Sequence, residues 1–217
     1  MTEQRHGTKT HYPTVVAAFC ALLLISNIGA VKLVSLGPLV FDGGALLFPL
    51  TYITGDVLTE IYGFRRARRA IVTAMVLQAI AAVTFWAVTQ LPAAPGWGMQ
   101  SAYASVVGFV PRIVLASLCA FLIGETLNSY VLVKIKQRTK EHLLWVRLIG
   151  STVVGEFADT IVFCTVAFLG VITGAEFANY VITGYVYKTL LEVVLLPVTY
   201  RVVRYLKRND SEYLQLV

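Results

Sequence analysis

Six long apolar runs, joined by short segments that are alternately basic and free of basic residues, restrict this chain to a bundle of membrane-crossing helices. A span needs about 20 apolar residues, and the runs fall at Pro13–Val34, Gly44–Tyr62, Ala70–Thr89, Ile113–Val133, Leu144–Ile172 and Phe177–Val203. The composition agrees, with 57% hydrophobic and 14% charged residues among 217 and a mean hydropathy of +0.72, values outside the range of an ordinary soluble domain. The expected fold class is all-α, a polytopic membrane protein of six transmembrane helices forming one domain over residues 1–217. The second run is short and carries Pro49 and Gly55, so a broken or partly unwound helix is expected there. The fifth is long enough to tilt.

Lys and Arg resist translocation, so their distribution across short loops sets orientation. Arg5 and Lys9 precede the first run, Arg65, Arg66, Arg68 and Arg69 follow the second, Lys134, Lys136, Arg138 and Lys140 follow the fourth, and Arg201, Arg204, Lys207 and Arg208 close the sixth. Ser35–Gly43, Leu91–Val110 and Thr173–Glu176 contain neither residue. Both termini are therefore expected in the cytoplasm, and the first run reads as a retained signal anchor. The net charge of +6 is explained by this topology. No basic segment is long or interleaved with aromatics, so no nucleic-acid partner is expected, while attraction to anionic lipid is. Cys20, Cys119 and Cys164 all lie in apolar runs without CxxC spacing, which points to neither disulfides nor a thiolate metal site.

Carboxylates inside such runs need a reason, because an ionisable side chain in lipid costs about 2.5–3.5 kcal/mol by insertion scales and normally faces a cavity, an ion path or a partner. Positions three or four apart share a helix face, so Tyr52, Asp56 and Glu60 line one stripe of the second run. At 1.5 Å per residue Asp56 lies about 10 Å inward from Gly63 and Glu60 about 5 Å. Glu60 is thus expected to pair with Arg65, Arg66 or Arg68, and Asp56 to take a deeper role. Phe121, Glu125, Asn128 and Ser129 share a face of the fourth run. In the fifth, Ser151, Gly155, Glu156, Asp159 and Thr160 fall together, and the two acids are close enough for one to be protonated at neutral pH. Lys188 is four residues from Glu192, an arrangement for an intrahelical pair, with Asp56 or Asp159 as alternative partners across the bundle. Lys32 and Arg112 read as interfacial. Tyr187, like Tyr52 and Phe121, is close in sequence to these polar positions, where a flat ring could stack.

The two halves echo each other. Asn27 is 29 residues before Asp56 and Asn128 is 28 before Glu156, and each acid follows a glycine. Three spans per half would invert the second relative to the first, as in transporters whose sites form between inverted repeats; the half-repeats would be 13–90 and 111–206. Histidines are confined to positions 6, 11 and 142, and HExxH, GxSxG and GxxxxGK[ST] are all missing, so zinc proteolysis, serine chemistry of that type and autonomous ATP hydrolysis are unsupported. No enzyme, cofactor or metal is expected.

The residues assembled so far resemble the queuosine precursor transporter family. The likeness covers nearly the whole chain: SNIGAVKL with Asn27, GGALLFPLTYITGDVLTEIYGFRRARR with Asp56 and Gly63, GETLNSYVLVKIK with Asn128, RLIGSTVVGEFADTIVF with Asp159 and Thr160, and YKTLLEVVLLPVTY with Lys188. It implies a six-span importer of the bacterial inner membrane, carrying 7-cyano-7-deazaguanine or 7-aminomethyl-7-deazaguanine for queuosine synthesis. One carboxylate can accept the adjacent N1–H and exocyclic NH2 of such a base. Asp159 or Glu125 is assigned to that edge, Asn27 and Asn128 to orientation, and Asp56 with Lys188 to closing or coupling. Tyr52, Phe121, Ser151, Glu156 and Tyr187 complete the candidate binding set. A substrate-binding subunit dependent on a separate ATPase, and an intramembrane enzyme using Glu156 and Asp159, are the competing expectations. A homodimer is left open.

Overall fold

The computed structural model describes residues 10–139, 144–210 and Tyr213. It is a helical bundle with one small hairpin. Helix α1 (Tyr12–Gly29) leads into strands β1 (Leu33–Leu36) and β2 (Leu39–Asp42), then a 3-10 turn at Gly43–Leu46. Helices α2 (Phe48–Gln90), α3 (Gln100–Val107), α4 (Val110–Thr139), α5 (Leu144–Phe168) and α6 (Gly174–Asn209) follow.

The hairpin was not foreseen, because its residues form the end of the first apolar run and the loop after it. Leu36 pairs with Leu39 across Gly37 and Pro38, and Gly37 has φ 58. A glycine at the first central position is the requirement of a type II′ turn. Val34 and Val40 supply the β-branched residues that fit a strand, and α1 stops short of Val34, the expected end of the first run.

Helix α2 is two arms. Gly63, with φ 76 and ψ 166, is non-helical inside it, a conformation open to glycine and strained for other residues. The expected break in the second run therefore sits at its far end and not at Pro49 or Gly55. Arm 48–62 and arm 64–90 reverse about this point, and the four arginines directly after it sit at the reversal. Helix α6 bends by 46° between Leu195 and Pro197, where proline removes a backbone donor and crowds the preceding turn.

The core has two parts. Phe19, Val57, Leu58, Tyr62, Ala70 and Leu206 bring together α1, both arms of α2 and the end of α6. Ile113, Ala116, Cys164, Phe168 and Tyr180 join α4, α5 and α6. The outward surface is unusually apolar, with Ile80, Val83, Leu122, Leu190, Val193 and Val194 all exposed, as expected of helices solvated by lipid. Tyr12–Gly29, Arg65–Gln90 and Gln100–Asn128 are each long and apolar enough to cross a membrane, and the bent pair Gly174–Leu195 and Pro197–Asn209 makes a fourth if it is one span.

Each end of the bundle is fastened by polar contacts. At the hairpin end, Asn179 donates from Nδ2 to the Pro38 carbonyl at 2.8 Å and accepts from the Val40 N–H at 3.0 Å. Tyr187 donates to the Ala45 carbonyl at 3.0 Å. Arg112 reaches the carbonyls of Val166 and Leu169 at 2.8 and 2.6 Å, satisfying acceptors that the end of α5 leaves open. At the opposite end the buried Asp210 accepts from the Tyr62 hydroxyl at 2.7 Å and the His11 N–H at 2.8 Å. Glu60 pairs there with Lys207 and not with the arginines after Gly63, because the long α6 carries Lys207 back to arm 48–62, while Arg66 lies over the Tyr12 ring.

Candidate functional site

A cavity of about 350 Å³ runs between α1, both arms of α2, α4, α5 and α6, within the size range of small-molecule sites. Its wall contains Asn27, Asp56, Phe121, Asn128, Glu156, Asp159 and Lys188, so seven of the residues picked out from sequence meet in one space. Asn27, Ala120 and Lys188 are buried, whereas Asp56 and Thr59 are exposed; the rim therefore lies toward the Gly63 end. Tyr187 turns away to Ala45 and lines a separate space, so it is not brought to the main cavity. The side chains of Tyr52, Glu125, Ser151 and Glu192 fall outside the described residues.

Lys188 is the central charge. Its Nζ donates to Asp159 Oδ2 at 2.6 Å and lies 4.0 Å from Glu156 Oε2. Lys188 reaches α5 because α5 and α6 cross with these positions facing each other, and the ammonium gains two carboxylates there. Side-chain exposure is 9% for Lys188 and 24% for Asp159, so the pair is largely shielded from solvent and its Coulomb term is strong. Asp56 makes no hydrogen bond or ion pair with another described residue. Among the described residues, the cavity thus carries three carboxylates against one ammonium.

Close helix contact sets the spacing of these groups. A Cβ on Gly155 would lie 2.7 Å from Asn128 Cβ, and one on Gly124 would lie 2.9 Å from Asp159 Cβ. Small residues allow membrane helices to approach this closely. The two glycines lock α4 to α5 and place Asn128 beside Gly155 and Asp159 beside Gly124. Asn128 Oδ1 is buried without a hydrogen-bond partner among the described residues, an acceptor ready for a ligand N–H.

Sequence reasoning missed Gln78. It is 3% exposed, lines the cavity, and its Oε1 accepts from Asn27 Nδ2. Its amide interrupts the apolar run 70–89, which was the available signal; attention to charges passed over it. Replacing Gln78 with Leu leaves the Asn27 amide without its acceptor, at a cost of about 1–3 kcal/mol. The expected result is a lower thermal midpoint in detergent for Gln78→Leu that is largely restored in Asn27→Leu/Gln78→Leu. An unchanged midpoint in the single variant would remove the amide pair from the account.

Asp42 lies in the segment Ser35–Gly43 between the first two apolar runs, and it is 6% exposed. Its Oδ2 accepts from the Tyr180 hydroxyl at 2.7 Å and its Oδ1 from the Gly44 N–H at 2.8 Å. Burial pushes its carboxyl above the usual carboxylate range, against the opposing pull of these hydrogen bonds and of the Lys188 charge.

Comparison with known proteins gives a consistent picture. A family model described as "Putative vitamin uptake transporter" matches residues 42–202. A Bacillus subtilis protein named "Probable queuosine precursor transporter" is 32% identical over 176 residues, covering 81% of this chain and 77% of that protein. The Escherichia coli "Queuosine precursor transporter" is 27% identical over 70% of this chain and 67% of its own. A Haemophilus influenzae relative named "Probable queuosine precursor transporter" is 26% identical over 74% and 67%. No solved structure matches.

Proposed function

The chain belongs to the queuosine precursor transporter family, a family of membrane transporters and not of enzymes, and from that premise we propose that it imports 7-cyano-7-deazaguanine, 7-aminomethyl-7-deazaguanine or both. Import is by secondary transport or facilitated diffusion across the bacterial inner membrane. Six crossings, made by α1, the two arms of α2, α4, α5 and α6, put both termini in the cytoplasm, with the two halves arranged as inverted three-helix units. The basic clusters support this orientation: Arg65, Arg66, Arg68 and Arg69 follow Gly63, Lys134 and Arg138 lie toward the C-terminal end of α4, and Arg201, Arg204, Lys207 and Arg208 toward that of α6.

The observation that carries the reading is the convergence of Asp159, Glu156, Lys188 and Asn128 on one buried cavity. A 7-deazaguanine presents N1–H and NH2 donors beside a carbonyl acceptor. A carboxylate of Asp159 or Glu156 accepts the two donors, and the Lys188 ammonium next to it donates to the carbonyl, a charge-assisted set that water cannot match in a shielded site. Asn128 Oδ1 accepts another ring N–H, and Phe121 or Phe163, both in the wall, covers a flat face. Stacking of that kind contributes about 1–3 kcal/mol per base.

Purified protein in liposomes tests this directly. Saturable uptake of labelled 7-deazaguanine, competed by either unlabelled precursor and reduced at least tenfold by Asp159→Asn (about 1.4 kcal/mol), is expected. Uptake by this chain alone would also exclude dependence on a separate ATPase subunit. Absence of both binding and uptake for the two precursors overturns the assignment.

A further inference from the structure

Lys188 borders a second cavity as well as the first. This space of about 20 Å³ lies between Lys188 and the Asp42–Tyr180 pair and is lined also by Thr160, Cys164 and Tyr187. Such a volume accommodates one water, which needs about 10–15 Å³ and two to four polar partners. Partners are present: Asp42, Lys188 and the hydroxyl of Thr160, a residue only 2% exposed whose Oγ1 is buried with no hydrogen-bond partner among the described residues. The small cavity joins the hairpin end of the bundle to the ion pair in the main cavity, because Lys188 lies in the wall of both.

We propose that a water in this second cavity links Asp42 to Lys188, and that Asp42 is the site where a proton binds to drive transport. This rests on the importer reading above. The step balances without another reactant. Protonated Asp42 gives its proton to the water, the water passes one to Lys188 as the Lys188 ammonium gives one to Asp159, and the products are the Asp42 carboxylate, an unchanged water, the ammonium and neutral Asp159. Lys188 then exchanges its inner partner for its outer one, which opens the carboxylate wall that holds the substrate. Asp42 is faced by Tyr180 and Lys188 from α6 and by Cys164 from α5. Asp159 and Glu156 of α5 face Lys188 on its other side, and Lys32, beside the strand partner of Asp42, is exposed. Burial of the Asp42 carboxyl, which favours its protonated form, supports this role.

The experiment uses liposomes loaded with a trapped pH dye, with the membrane potential clamped by valinomycin in symmetrical potassium. The wild type should accumulate labelled 7-cyano-7-deazaguanine about tenfold for a one-unit gradient, acid outside, at one proton per substrate. The dye should report acidification only when substrate is present. Asp42→Asn should lose accumulation and acidification while keeping substrate counterflow within about twofold of wild type, a change below 0.5 kcal/mol. Gradient-driven accumulation retained in Asp42→Asn, or net uptake by the wild type without proton movement, overturns the proposal. Failure of wild-type counterflow instead overturns the importer reading. If Asp42→Asn is not recovered as folded protein, Thr160→Val decides: it should lose most of the accumulation, and full retention overturns the proposal.

Discussion

Lys188→Met is expected to abolish uptake and to lower thermal stability strongly. The substitution removes the only ammonium among the described residues lining the cavity and leaves Asp159 and Glu156 facing each other in a shielded space. Breaking a buried pair by deleting one partner costs about 3–5 kcal/mol, most of it the penalty of the stranded charge. On the transport side, loss of the donor for the substrate carbonyl should reduce affinity at least tenfold, since about 1.4 kcal/mol corresponds to each factor of ten. The double variant Lys188→Met/Asp159→Asn separates the two effects. It removes charge from both sides, so the thermal midpoint should recover most of its loss, while uptake stays absent because the recognising groups are gone. Thermal unfolding in detergent and liposome uptake are the measurements. Uptake by Lys188→Met above half the wild-type rate would show that the ion pair is not part of the transport site.

Gly155→Ala should impair the site without altering any group that touches substrate. A methyl at this position meets Asn128 Cβ at 2.7 Å and the Gly124 carbonyl oxygen at 3.1 Å, distances that force the helices apart. Overpacking of this kind costs about 1–3 kcal/mol. The displacement acts on Asn128 directly and on Asp159 through the reciprocal contact at Gly124, so KM for uptake should rise at least tenfold, in line with the sensitivity of oriented sites to shifts of about 1 Å. Gly55→Ala is the stability control, because its added methyl meets only Phe19 Cε2 at 3.9 Å, an ordinary contact. Equal thermal midpoints and equal KM for Gly155→Ala and wild type would mean that α4 and α5 are not locked at this crossing.

Much of the site was legible because lipid makes charge conspicuous. Asp56, Asn128, Glu156, Asp159 and Lys188 stand out in apolar runs, and all five line one cavity. Partners were less legible. For Lys188 the sequence left Glu192, Asp56 and Asp159 all as candidates, of which the structure shows Asp159 in contact, and proximity offered the arginines to Glu60, which the structure joins to Lys207. Helix periodicity reports which face a residue shares, but not which other helix is packed against that face. Gln78 carried a weaker version of the same signal. Asp42, lying outside an apolar run, carried none.

From the sequence alone follow the helical membrane class, the inward residues and the family, because each depends on local composition and spacing against a solvent that tolerates few alternatives. The hairpin, the reversal at Gly63, the α4–α5 glycine lock and the double role of Lys188 between two cavities were decided by tertiary packing. These features depend on contacts between residues tens to more than a hundred positions apart, such as Asp42 with Tyr180, and only the folded chain brings such residues within hydrogen-bonding distance.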